Sequence, residues 1–159
     1  MKLQHIAALL LAAFIAPFMA FARAFSPQGV DALNIQGSHE DTITRTAEVA
    51  IAAHLCVTFG TAPGSQVKLC TAALRPIGFA HDDAAAGAPL GVELTGGGRT
   101  RLAIASKAIP AGVRVYATAG GKLTDAVVSG AYLVGESFTA AAADGDEFEI
   151  LPLSPVVNP

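Results

Sequence analysis

The chain has 159 residues, of which 14% are charged and 6% aromatic, with 16 glycines, nine prolines and no tryptophan. This length suits one domain with a core of useful size, and the abundance of glycine and proline predicts a compact β protein with many turns. The formal net charge is −3. Because Arg99, Arg101 and Arg114 are dispersed along the chain, the sequence argues against nucleic acid as a partner.

Residues 1–24 form a hydrophobic leader. Lys2 precedes an apolar run that Pro17 interrupts, and Ala22-Arg23-Ala24 has the small-x-small pattern of a signal-peptidase site. The pattern favours a secretory signal over a membrane span, because a span needs roughly 20 uninterrupted apolar residues. Cleavage would leave the mature chain in the periplasm or outside the cell, and only an uncleaved leader would link it to a membrane.

A retained arm that docks on a neighbouring subunit is the alternative interpretation of the leader. In that case we expect Phe14, Phe18 and Phe21 to bury against another chain, because an exposed apolar stretch of this length would aggregate. Residues 25–45 follow, without a sustained period, and are predicted to be an extended lead-in outside the folded domain.

From Thr46 onward apolar and polar residues alternate, as they do in strands with one buried face. In the first half of this region the predicted strands are Val49–Ile51, Leu55–Phe59, Gln66–Cys70, Pro76–Ala80, Leu90–Leu94 and Thr100–Ile104. In the second half they are Val113–Tyr116, Leu123–Val128, Ala131–Ser137 and Glu147–Leu151. Residues 152–159 contain three prolines and are predicted to form an extended tail that does not pair centrally in a sheet.

The two halves repeat one another. Ala50-Ile51-Ala52-Ala53-His54-Leu55-Cys56-Val57 returns 58 positions later as Ala108-Ile109-Pro110-Ala111-Gly112-Val113-Arg114-Val115. We therefore expect a two-repeat domain at 46–151, with units at about 46–104 and 105–151. Two units are too few for an open solenoid, so the prediction is a small all-β fold, a closed pseudo-symmetric β-barrel or a β-clip-like sandwich, with extended N- and C-terminal arms.

Cys56 and Cys70 flank the predicted turn at residues 60–65 and are a candidate disulfide pair. Simple pairing about that turn puts Cys56 opposite Leu69, one residue out of register, although a bulge or a different turn would align the two cysteines. An exported chain would meet an oxidising compartment, whereas two buried, inert thiols are the default for a pair such as this. Metal-ligand spacing is absent, so no metal is expected.

No pattern in the chain predicts catalysis or cofactor binding. In His81-Asp82-Asp83 only His81 and Asp83 could face the same way on a strand, and two ligands rarely hold a metal. Gly96-Gly97-Gly98 is followed by strand-like sequence rather than by the helix that a phosphate-binding loop requires. We therefore predict that the protein is not an enzyme; a sugar-acid lyase of the β-clip type would need His81 and Asp83.

Several runs of residues resemble the tailed-phage capsid cement, or head decoration, family. In the second copy these are Ala108 to Val115, Gly121 to Leu123, Leu133 to Glu136 and Ala141 to Ile150; in the first they are Arg75 to Ala80 and Asp83 to Val92. Together they cover about residues 46–151. The motifs are signatures of turns and strands, and the Ile-Pro-Ala-Gly element also resembles β-clip domains.

The resemblance implies a non-enzymatic virion protein that binds the outer surface of a phage capsid and reinforces the junctions between capsomers. It implies the major capsid protein as partner, self-association, for which we favour a homotrimer, and no cofactor. The signal-like leader departs from this pattern. It keeps open a second hypothesis, an exported periplasmic or surface β-clip module that binds a glycan or a protein.

Overall fold

The structure, a computed structural model, describes residues 41–159 and is all-β over that range, as predicted. Its strands are β1 (Thr42–Ala47), β2 (Cys56–Phe59), β3 (Gln66–Leu69), β4 (Gly78–Ala80), β5 (Pro89–Leu94), β6 (Arg101–Ile104), β7 (Arg114–Ala117), β8 (Leu123–Thr124), β9 (Tyr132–Ser137) and β10 (Glu147–Val157). A short 3-10 turn at Ala119–Gly121 joins β7 to β8. No helix in the described range is long and apolar enough to span a membrane.

The first five strands close into a small barrel, called here the first barrel, in the order β1-β3-β2-β4-β5. β1 completes it by pairing antiparallel with β5 and parallel with β3. Alternating residues along these strands point inward, as the pleat of a strand requires. The barrel interior is filled by Ala47, Ile51, Val57, Val67, Ala80, Ala84, Leu90 and Val92.

The other five strands form the second sheet, in the order β6-β10-β9-β7-β8. Its two outer strands meet through a parallel bridge between Ala105 and Leu123, next to which the amide of Ser106 donates to the carbonyl of Leu123 at 2.8 Å. The sheet therefore curls toward closure around its own core. The core residues that it contributes are Ala103, Ala105, Ile109, Val115, Ala117, Leu123, Val134, Ala141, Phe148 and Ile150.

The same strand pairings occur in both halves, between residues whose numbers differ by 57 or 58. Thr46↔Pro89, Cys56↔Phe79 and Ile51↔Ala84 in the first barrel correspond to Ile104↔Glu147, Arg114↔Glu136 and Ile109↔Ala141 in the second sheet. Residues related in this way are called equivalent below. β6 pairs with β10 as β1 pairs with β5, so Arg101 to Ile104 are grouped with the second sheet here.

Both ends of the domain are longer than the sequence predicts. β1 begins at Thr42, four residues before the expected start, because the polar stretch from Thr42 pairs with β5. β10 continues through the predicted tail to Val157 and pairs there with β9 alone. Pro152 and Pro155 are tolerated because the other side of β10 has no partner strand at these positions.

The two halves pack directly on one another. Cys56, Cys70 and Phe79 of the first barrel belong to the same buried cluster as the core of the second sheet. The amide of Gly121 donates to the carbonyl of Cys70 at 3.0 Å, so the β7–β8 turn lies on strand β3. This contact is called the junction below.

Candidate functional site

The outer face of the second sheet carries an exposed apolar patch. Leu102 on β6 pairs directly with Glu149 on β10, and the amide of Phe138 donates to the carbonyl of Glu149 at 2.7 Å from the other side. Leu151 and Leu153 extend the patch along β10. The exposed fractions are 43% for Leu102, 66% for Phe138, 42% for Leu151 and 40% for Leu153. These four side chains are called the apolar face.

Equivalent positions in the first barrel are polar. Thr44 is equivalent to Leu102, His81 to Phe138 and Glu93 to Leu151. The correspondence is supported by the amide of His81, which donates to the carbonyl of Gly91 at 2.8 Å as that of Phe138 does to Glu149. The arrangement of the strands therefore does not require apolar side chains at these positions. Large exposed apolar patches on soluble domains typically mark interaction sites.

A polar cluster connects the outer side of the first barrel to β6. His81 Nδ1 lies 2.9 Å from Glu93 Oε1, and Arg101 Nε lies 3.5 Å from Glu93 Oε2. The Arg101 side chain is only 7% exposed, and its Nε and Nη2 atoms have no hydrogen-bond partner among residues 41–159. His54 Nε2 lies 3.7 Å from Glu147 Oε1 and adds a second contact between the halves. An open cavity of about 240 Å³ adjoins the cluster.

This cluster does not assemble the His81–Asp83 pair that an enzyme of the β-clip type would need. Asp83 Oδ1 instead accepts a hydrogen bond from the amide of Ala53 at 2.8 Å, which ties two loops together. Between residues 41 and 159 no group of three or more His, Cys, Asp or Glu side chains is arranged to hold a metal ion. The arrangement can hold the two halves together by ion pairs, and it provides no nucleophile with an adjacent base.

A second, open groove of about 460 Å³ lies between the first barrel and the end of β10. It is lined by Phe59, Ile77 and Leu94 of the barrel and by Pro155 of β10, with Asp41 at its edge. Phe59 is 48% exposed. Its lining offers apolar contact more than chemistry.

The candidate residues from the sequence are placed as follows. Cys56 and Cys70 are free thiols, both buried. Phe14, Phe18 and Phe21 lie outside the described residues. Gly96, Gly97 and Gly98 form the turn between β5 and β6, as predicted, with a strand after them.

Sequence reasoning missed the apolar face. The signal was present in Ile150-Leu151-Pro152-Leu153, where apolar residues occupy both phases of a strand. One phase faces the core, since Ile150 is fully buried, and the other phase is exposed. A strand that is apolar on both faces predicts a partner on each.

An all-β domain with an exposed apolar sheet face has a surface suited to contact with another protein. The chain matches the family model described as phage cement protein over residues 35–152, and it belongs to that family. It is thus a phage structural protein of the virion, and the family is structural rather than enzymatic by kind. These findings confirm the resemblance noted in the sequence.

The fold is similar to that of the crystal structure titled head fiber gp8.5 N base in bacteriophage phi29. The TM-score is 0.60 at 14% sequence identity, covering 74% of this chain and 97% of the other. No curated protein matches the sequence. The alternative of an exported periplasmic module has no support from these comparisons.

Proposed function

We propose that the protein binds the outer surface of a phage capsid through the apolar face, contacts the major capsid protein there and reinforces the junctions between capsomers. Family membership supports the capsid as the target. The observation that carries the proposal is the exposed apolar face on a sheet whose twin in the first barrel is polar at the equivalent positions.

Burial against a shell would remove water from four side chains that are each exposed by two fifths or more. Complete burial of such a side chain is worth about 1.5–3 kcal/mol, so the exposed fractions together supply several kcal/mol before the costs of association. A sheet held by a packed core loses little conformational entropy on docking, which favours the complex.

We further propose that the protein acts as a homotrimer. Symmetric self-association joins several weakly binding faces, and the repeating lattice of a capsid lets them bind together, so that avidity exceeds the affinity of one face. The mass of the purified protein by analytical ultracentrifugation tests this point: a trimer is expected, and a monomer at working concentration contradicts it.

The capsid proposal is tested with the double variant Leu102→Thr/Phe138→His, which introduces the side chains that the first barrel carries at the equivalent positions. Because the sister strands tolerate these residues, the fold should persist. Capsids lacking the protein are mixed with each variant at pH 8, where imidazole is largely neutral, and bound protein is measured by co-sedimentation. We expect the affinity to fall about tenfold or more, corresponding to a loss of at least 1.4 kcal/mol.

The matched control is Phe59→Ser, which removes an exposed aromatic side chain from the first barrel, outside the apolar face. It should bind capsids as the unmodified protein does. Equal binding by the double variant, with its melting temperature unchanged, would exclude the apolar face as the capsid contact. Loss of binding by Phe59→Ser alone would move the contact to the open groove.

A further inference from the structure

Cys56 and Cys70 lie directly opposite each other on neighbouring strands. Val57 pairs with Leu69 in the antiparallel β2–β3 ladder, which places the two cysteines in register one step further along. The amide of Cys70 donates to the carbonyl of Cys56 at 2.9 Å. Residues opposite each other in an antiparallel pair have Cα atoms about 4.5–5.5 Å apart, within the range that a disulfide bridges.

The register differs by one residue from the simplest pairing because the connection is longer than a symmetric turn. Phe59 pairs with Val67 rather than with Gln66. The amide of Gln66 donates instead to the carbonyl of Ala62 at 2.8 Å, within the turn. Gln66 therefore pairs with β1 but has no partner residue on β2. The extra turn residue brings the cysteines to the same face of the ladder.

The two thiols lie next to each other beneath the junction, because the residues are opposite one another in the ladder. Both residues are fully buried. The neighbouring Cys70 thiol and the burial raise the pKa of the Cys56 thiol well above its ordinary value. The thiol of Cys70 also lies 3.6 Å from the carbonyl oxygen of Leu74. The pair is thus aligned for bonding but protected from reagents while the junction is closed.

We propose that Cys56 and Cys70 form an intrachain disulfide, bridging β2 and β3, when the protein encounters a small oxidising disulfide such as oxidised glutathione. One cysteine thiolate attacks a glutathione sulfur and releases a glutathione thiolate. The second cysteine thiolate attacks the protein sulfur of the mixed disulfide and releases the other. The cysteines lose two electrons and two protons, and the glutathione disulfide is reduced to two thiols that take up those protons.

The bridge would act on the first barrel alone. Arg114 stands at the position of the second sheet equivalent to Cys56, so that half has no corresponding pair. A disulfide between Cys56 and Cys70 would close the loop that contains the β2–β3 connection and would restrict the conformations of the unfolded chain. It would also fix the surface of β3 on which Gly121 docks, and so hold the junction in its closed form.

The experiment uses the full-length chain, unfolded in denaturant and refolded with either reduced or oxidised glutathione. Remaining thiols are alkylated after denaturation and counted by mass spectrometry, and peptide mapping locates any bridge. We expect two free thiols from the reduced buffer and none from the oxidised buffer, with one Cys56–Cys70 bridge within the chain. The oxidised protein should melt roughly 5–10 °C higher, a shift that dithiothreitol reverses.

Cys56→Ala and Cys70→Ala are the control variants, each with one remaining thiol. Neither should gain thermal stability in the oxidised buffer. The proposal is overturned if the unmodified protein retains two alkylatable thiols after refolding with oxidised glutathione, or if its bridges join different chains. These readouts come from the unmodified protein, so they hold even if a variant fails to fold, and none of them depends on capsid binding.

Discussion

The first barrel and the second sheet share one plan of strand pairing but differ in what covers their outer faces. Cys56 and Phe79 of the first barrel form a directly opposed pair, and both are buried under the second sheet. The equivalent pair in the second sheet is Arg114 and Glu136, which are exposed. A backbone plan can therefore be kept while the outer side chains take on different tasks.

The inner faces of the two halves have changed much less. Buried equivalent pairs are Ala47 and Ala105, Ile51 and Ile109, Val57 and Val115, Ala84 and Ala141, Leu90 and Phe148, and Val92 and Ile150. A small residue in one half corresponds to a small residue in the other, and an aliphatic residue corresponds to an aliphatic or aromatic one. The reason is that the volume enclosed by each half limits the side chains that fit. The outer positions have no such limit, and one half has become polar where the other carries the apolar face.

The largest expected effect in this comparison comes from Gly78→Ala and Gly135→Ala. These residues are equivalent, and each lies where the neighbouring strand approaches closely: a Cβ on Gly78 would collide with the carbonyl oxygen of Glu93, and one on Gly135 would lie 2.5 Å from that of Leu151. Because backbone atoms cannot move aside cheaply, we expect each substitution to lower the free energy of unfolding by about 3 kcal/mol. Urea denaturation measures both.

Gly96→Ala is the control, because a Cβ at this position meets no atom of the described part of the chain within 4 Å. Its effect should be about 0.5 kcal/mol or less. If only one of the two substitutions lowers the stability, the strands do not approach each other equally closely at Gly78 and Gly135, and the two halves are not equivalent there.

A smaller effect is expected from Ser137→Ala, which gives the second sheet the residue that the first barrel has at Ala80. The Ser137 side chain is buried; its hydroxyl donates to the carbonyl of Pro110 at 2.7 Å and accepts from the amide of Val113 at 3.0 Å. Removal takes the partner from two part-buried backbone groups, so we expect a loss of about 1 kcal/mol in urea denaturation.

Ser154→Ala, at an exposed position of β10, should leave the free energy of unfolding nearly unchanged. Equal stabilities of Ser137→Ala and the unmodified protein would mean that the second sheet does not depend on this hydroxyl. In both halves this turn would then be held by backbone hydrogen bonds alone.

Most strands could be predicted because their alternation reflects burial directly. Val113-x-Val115 and Leu90-x-Val92 have one phase in the core, and β7 and β5 include them. β8 was wrong in length: it ends at Thr124 and not at Val128, since the Thr124 hydroxyl accepts a hydrogen bond from the amide of Ala126 at 3.2 Å and turns the chain. A side chain that ends a strand locally is not visible in a pattern of hydrophobicity.

The candidate sites were harder to predict because they depend on register and on the packing of one half against the other. A single extra turn residue decides whether Cys56 faces Cys70 or Leu69, and no propensity scale resolves one residue. The apolar face could not be distinguished from core sequence either. Leu151 and Ile150 are both apolar, and only the three-dimensional arrangement shows which of them is covered.

The smallest expected effect concerns acid pH and the turn between β2 and β3. Glu48 Oε2 accepts from the amide of Thr61 at 2.7 Å and its Oε1 from the Thr61 hydroxyl at 2.9 Å. These two hydrogen bonds, with a lesser contribution from the charge of Lys68, hold the pKa of Glu48 below its ordinary value of 4.5. The second sheet has Ser106 at the equivalent position, and its β7–β8 turn is closed by a backbone bond from Thr118 to Lys122.

A lowered carboxyl pKa stabilises the folded state fully above the unfolded pKa, and that contribution is lost as the pH falls through the folded value. The β2–β3 turn should therefore loosen at acid pH. The backbone hydrogen bond from Thr118 to Lys122, which closes the β7–β8 turn, should not respond. In NMR spectra recorded from neutral to acid pH, the amide shift of Thr61 should titrate with a midpoint below 4.5, and that of Thr118 should stay constant. In Glu48→Gln the Thr61 titration should vanish. A Thr61 midpoint at or above the ordinary glutamate value would show that the carboxylate does not clamp this turn, and the two halves would then respond to acid alike.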